Sequence, residues 1–121
     1  MANILLIDDD TNIHQIVSLF LENAGHTVSC VTNGPSGLDF AAHNDVNLII
    51  LDLAMPGMDG VETFHQLQNN PATKAIAVMI LSVHEESELP EAICKQGCVA
   101  FVTKPVNMEQ LIVSVEEALA R

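Results

Sequence analysis

Apolar residues gather in five short runs, NILLI, HTVSCV, NLIIL, AVMIL and AFVT, and the stretches between them follow a different, helical spacing. Short apolar runs bounded by turn-forming residues read as strands buried on both faces. After the first run, Ile13, Ile16, Val17, Phe20 and Ala24 form one stripe, and Gly25 stands where such a helix would stop. After the second, Asn33 can cap a helix that buries Leu38 and Ala41 or Ala42 and fades by His43 and Asn44. Beyond the third run lies LAMPGMDG, a Pro- and Gly-rich loop, followed by Val61, Phe64 and Leu67 or Gln68 at helical spacing up to Pro71. Residues 85–96 predict a further helix with a thin apolar face, which Pro90 would kink or shorten. Met108, Leu111, Ile112, Val115 and Leu119 make the stripe of a closing amphipathic helix.

Regular strand–helix alternation forces parallel strands with right-handed crossovers, because each helix must travel back over the sheet. The expected architecture is therefore α/β, a doubly wound parallel sheet of five strands with helices on both faces. All strands of such a sheet end on one edge. Four of the five runs stop there on reactive side chains: the first on Asp8 and Asp9, the third on Asp52, the fourth on Ser82 and the fifth on Lys104.

The length, 121 residues, predicts a single domain over 1–121, with no output domain in this chain. No apolar stretch approaches the twenty or so residues of a membrane span. The N-terminus carries no signal-like segment, and Cys30, Cys94 and Cys98 form no CxxC pair, so a cytoplasmic, reducing setting is expected. Cys94 and Cys98 are four apart, but Gly97 ends the helix between them, which argues against a metal or disulfide there. A formal charge of −12 repels phosphate backbones and anionic lipids and speaks against direct nucleic-acid or membrane binding.

In a doubly wound sheet of order 2-1-3-4-5 the first and third strands are neighbours, so Asp8, Asp9 and Asp52 would share one crevice. Two like charges about 5 Å apart at an effective dielectric near 20 repel by roughly 3 kcal/mol, so the cluster needs a divalent cation or proton uptake. All the candidate ligands are oxygens, which suits Mg²⁺ rather than zinc. Helix capping explains Asp10 but not Asp52 at the end of an apolar run. Lys104 closes an apolar strand and calls for an anionic partner.

Together, IDD at 7–9, DLAMPGMDG at 52–60, Ser82 at the end of the fourth run and FVTKP at 101–105 resemble the receiver domains of two-component response regulators along essentially the whole chain. The order 2-1-3-4-5 is that family's own, so it is not independent of the resemblance. The resemblance implies a flavodoxin-like (βα)5 fold and a phosphorelay switch rather than an enzyme. Asp52 would accept a phosphoryl group from a sensor histidine kinase or phosphotransfer protein. Asp9 and Asp52 would bind Mg²⁺ with the main-chain carbonyl of Ala54, and Asp8 would act through metal-bound water. Lys104 would add positive charge, with a cis peptide bond before Pro105. Ser82 would be drawn toward the phosphoryl group, and Phe101 would follow it between rotamers, plain core packing being the competing reading for Phe101. The surface of the fourth helix, fifth strand and last helix would then change for an unknown downstream protein, in a monomer or a phosphorylation-dependent dimer.

The chain departs from that pattern at Val83, whose branched side chain would crowd the phosphoryl path, and at Ala54 and His84, the positions that tune access of water. Met55 and Met58 read as cover for the pocket edge. Two other readings remain: a docking module of the same fold that is never phosphorylated, and a Mg²⁺-dependent phosphatase. The second acid that such a phosphatase needs is replaced by Ala54.

Overall fold

The computed structural model describes residues 2–53, 60–82, 98–103 and 107–120. In chain order the elements are β1 (Asn3–Ile7), α1 (Thr11–Asn23), β2 (Thr27–Val31), α2 (Gly34–His43), β3 (Leu48–Asp52), α3 (Gly60–Asn69), β4 (Ala77–Ser82), β5 (Cys98–Thr103) and a closing helix, Met108–Leu119. The strands pair in the order β2-β1-β3-β4-β5. Every pair is parallel, with Ile7 opposite Leu51, Asp52 opposite Leu81 and Ser82 opposite Thr103.

Strand side chains alternate between faces, so one sheet builds two cores. Ile4, Leu6, Leu48, Ile50, Met79 and Leu81 pack under α1 and the closing helix, against Val17, Leu21, Leu111 and Val115. Leu5, Ile7, Ile49, Leu51, Val78 and Ile80 pack under α2 and α3, against Ala41, Phe64 and Leu67. Both faces are therefore helix-covered, which explains why the central strands read as unbroken apolar runs.

Side-chain amide and carboxylate oxygens start the helices. Asp10 accepts from the Asn12 amide, Asn33 from Ser36 and Asn107 from Gln110, each satisfying a donor that the first turn leaves open. Gly25 takes φ 99° just past α1, the left-handed turn that lets the chain reverse into β2.

The face of α1 differs from the expected stripe. Val17 and Leu21 are buried and Ile13 packs beside them, whereas Ile16 and Phe20 are 44% and 40% exposed and Ala24 lies on the surface as the C-cap. The helix is turned so that the i, i+4, i+8 row through Ile13, Val17 and Leu21 meets the sheet. That rotation carries Ile16 and Phe20 to its margin. In the closing helix the expected Leu111 and Val115 are buried, with Ala118 added and Met108, Ile112 and Leu119 packed partly against them.

At the edge where the strands begin, His26 links three elements. Its Nδ1 accepts from the Ala2 amide at 3.2 Å, so Nε2 carries the proton and donates to Glu116 Oε1 at 2.8 Å. The predicted helix over 85–96 lies outside the described residues.

Candidate acidic site at the strand ends

β1 and β3 run side by side with Ile7 opposite Leu51, so the next residue of each strand, Asp8 and Asp52, arrives at the same edge. Asp8 is fully buried, Asp52 is nearly so and Asp9 is exposed. One carboxylate oxygen from each of the three lies within 4.8 Å of the others. The sequence-predicted carboxylates thus meet.

Backbone contacts hold the Asp8 and Asp52 positions. The Asp8 amide extends the β1–β2 ladder by donating to the Val31 carbonyl at 3.2 Å. The Asp8 Oδ1 accepts from the Asp10 amide at 2.9 Å, which folds the chain from strand to helix, and Asp10 in turn caps α1. From the first turn of α1, His14 Nε2 donates to the main-chain carbonyl of Asp8. On the β3 side the Leu53 amide donates to Leu81 at 3.3 Å, and the Gly60 amide returns to the Leu53 carbonyl at 2.9 Å. A Cβ on Gly60 would stand 2.2 Å from Leu53 Cα and 2.4 Å from the Asp52 carbonyl oxygen, so only glycine fits.

Ser82 ends β4 opposite Thr103, one residue beyond the Leu81 that pairs with Asp52, and Phe101 is in register with Ile80. Their backbone therefore places both on strands near the acidic edge. Lys104, Pro105, Ala54, Met55, Met58, Val83, His84 and Cys94 lie outside the described residues. Cys98 belongs to β5.

Two of the residues that hold the acids in place, His14 and Gly60, were not singled out from sequence. Gly60 could have been, as the glycine that ends a Pro- and Gly-rich loop and opens a helix. His14 left only the signal of an imidazole one turn into the helix that follows an acidic pair.

Two full charges about 5 Å apart at an effective dielectric near 20 repel by about 3 kcal/mol, so these three carboxylates on one edge could hold a cation. The donors are hard oxygens on rigid strand ends, and such a set fits Mg²⁺. A cavity of about 490 Å³ lined by His26, Asn47 and Glu116 opens at the opposite edge of the sheet and takes no part in this chemistry.

The family model for the response regulator receiver domain matches residues 4–116. Among curated relatives, protein PilH of Pseudomonas aeruginosa is 31% identical over 120 residues, covering 99% of each chain. The transcriptional regulatory protein GlrR of Escherichia coli K12 is 33% identical over 120 residues, which is 98% of this chain but 26% of that protein. The chain thus spans about a quarter of the length of GlrR and 58% of the probable transcriptional regulator ycf29 of Cyanophora paradoxa. Among solved structures, the chemotaxis response regulator CheY4 of Vibrio cholerae superposes with a TM-score of 0.90 at 28% identity, over 98% of each chain. The receiver domain of the Francisella response regulator 1452 gives 0.90 at 26% identity, over 100% of this chain and 98% of that one. With the parallel sheet and the acidic strand ends in place, these matches establish that the chain belongs to the response regulator receiver domain family.

Proposed function

We propose that this receiver domain is the phospho-acceptor switch of a phosphorelay, with Asp52 as the acceptor. The supporting observation is the convergence of Asp8, Asp9 and Asp52 at one strand edge, two of them buried. Receiver domains are signalling switches rather than turnover enzymes, and they take their phosphoryl group from histidine kinases or phosphotransfer proteins. The whole protein's partners and output follow from that reading. One is a sensor histidine kinase or phosphotransfer protein, and another is a downstream protein that reads the switched surface.

In the reaction an Asp52 carboxylate oxygen attacks the donor's phosphorus, the bond to the donor's leaving atom breaks, and an acyl phosphate forms on Asp52. Its strand end is held by the Leu53 amide and the Gly60 closure, which fixes the backbone from which that oxygen acts. Asp9 and Asp52 would hold Mg²⁺ with the main-chain carbonyl of Ala54, and Asp8 would hold it through metal-bound water. When bound, Mg²⁺ supplies positive charge that offsets the phosphoryl oxygens, which is most of what phosphoryl transfer asks of a protein. Lys104 adds a second positive group. Ser82 donates its hydroxyl to a phosphoryl oxygen, and Phe101 follows, which carries the change to the surface of the fourth helix, fifth strand and closing helix. Val83 would narrow the approach, and Ala54 and His84 would set how water reaches the acyl phosphate.

The finer architecture is part of the same reading: five βα units over 1–121 as a single domain, with a helix across 85–96. Among the described residues no helix is long and apolar enough to cross a membrane. A cytoplasmic domain without direct nucleic-acid contact, monomeric or dimerising on phosphorylation, accords with the −12 charge.

Incubation with acetyl phosphate and Mg²⁺, followed by intact-mass measurement, tests the proposal. A single phosphoryl adduct that disappears in Asp52→Asn supports it. No adduct returns the chain to a docking module, and continuous hydrolysis to a phosphatase.

A further inference from the structure

The carbonyl of Asp8 stands where β1 leaves the sheet and the chain turns into α1. His14, one turn into α1, reaches back and donates Nε2–H to that oxygen. The peptide concerned is the one that joins Asp8 to Asp9, so the bond fixes the backbone between two of the three residues whose carboxylate oxygens lie within 4.8 Å of one another. The Asp8 carboxylate fixes the other side of the same turn by accepting from the Asp10 amide, and the His14 amide donates to the Asp10 carbonyl at 3.2 Å. The imidazole therefore closes the strand-to-helix turn from the helix side.

We infer that His14 is a positioning residue for divalent-cation binding: its Nε2–H locks the Asp8–Asp9 peptide and so sets the affinity of the carboxylate cluster for Mg²⁺. It touches neither the cation nor the phosphoryl group. The inference rests on the reading of Asp8, Asp9 and Asp52 as the Mg²⁺ site. A part-buried peptide oxygen that loses a donor takes on water or shifts toward another one. Either response relaxes the geometry that a small, strictly octahedral ion demands.

Three proteins test this: wild type, His14→Gln, whose amide nitrogen can occupy the place of Nε2, and His14→Leu, which keeps the helix but has no donor. Each is titrated with Mg²⁺ by isothermal calorimetry, a readout independent of phosphorylation. Thermal unfolding in EDTA reports the metal-free fold. His14→Leu should bind Mg²⁺ about tenfold more weakly, with His14→Gln within about twofold of wild type. Equal affinity in all three, or equal loss in both variants, overturns the inference while leaving the metal site standing. No Mg²⁺ uptake by wild type overturns both. Should His14→Leu unfold in EDTA, nitrogen-15 NMR of the wild-type imidazole decides: a protonated, slowly exchanging Nε2 supports the lock, and a ring protonated on Nδ1 alone refutes it.

Discussion

The Gly60 amide donates to the Leu53 carbonyl at 2.9 Å, so the chain leaves the sheet just after Asp52 and returns to the same point to begin α3. The closure is tight enough to exclude any side chain. A Cβ at Gly60 would meet backbone atoms at 2.2, 2.4 and 2.8 Å, and backbone cannot rotate away. Gly60→Ala is expected to cost about 3 kcal/mol, the upper end for overpacking, and to slow phosphorylation by displacing Asp52. Chemical denaturation and acetyl phosphate kinetics check the two effects.

Gly37 provides the contrast. Its added Cβ would lie 2.4 Å from Ile7 Cδ1 and 2.9 Å from Cγ1, so a side chain rather than backbone has to give. Gly37→Ala should therefore cost only about 1 kcal/mol, the low end for overpacking, and leave phosphorylation unchanged. A loss as large as that of Gly60→Ala in the same denaturation series would show that α2 cannot shift on β1.

Phe64 anchors α3 to the sheet face formed by Ile49, Leu51 and Ile80, and it is fully buried. Phe64→Ala should destabilise by about 3–5 kcal/mol through lost burial and the cavity left behind. Urea midpoints measure this. A loss below about 1 kcal/mol would mean that the site collapses around the smaller side chain.

Carboxylates brought together by folding should make native-state stability respond to a divalent cation. Mg²⁺ at about a hundred times its dissociation constant should stabilise the protein by about 2.7 kcal/mol, because the unfolded chain has no such cluster. Asp8→Asn and Asp52→Asn should lose most of that gain, seen as unfolding temperatures that no longer rise with added Mg²⁺. EDTA should return wild type to its metal-free stability.

The convergence of Asp8, Asp9 and Asp52 was legible because a parallel sheet has one carboxyl edge, Asp8 and Asp52 directly end apolar runs with Asp9 next to Asp8, and the family resemblance makes the first and third strands neighbours. Helix starts at Asp10, Asn33 and Asn107 announce themselves through a polar residue ahead of an apolar stripe, although only the Asp10 and Asn33 caps were read in advance. The facing of α1 was not legible. Ile16 and Phe20 are as apolar as Leu21, and only packing against β1 and the closing helix selects the row that is buried. His26 escaped for a different reason, since its partner Glu116 is 90 residues away and no local pattern links them.

Borohydride reduction of the phosphorylated protein converts an aspartyl phosphate to homoserine, so peptide mapping locates the acceptor. Homoserine at position 52, formed only with Mg²⁺ and absent from Asp8→Asn, is the predicted result. Homoserine at Asp8 or Asp9, or at position 52 without any divalent cation, would contradict a cation-dependent acceptor at the end of β3.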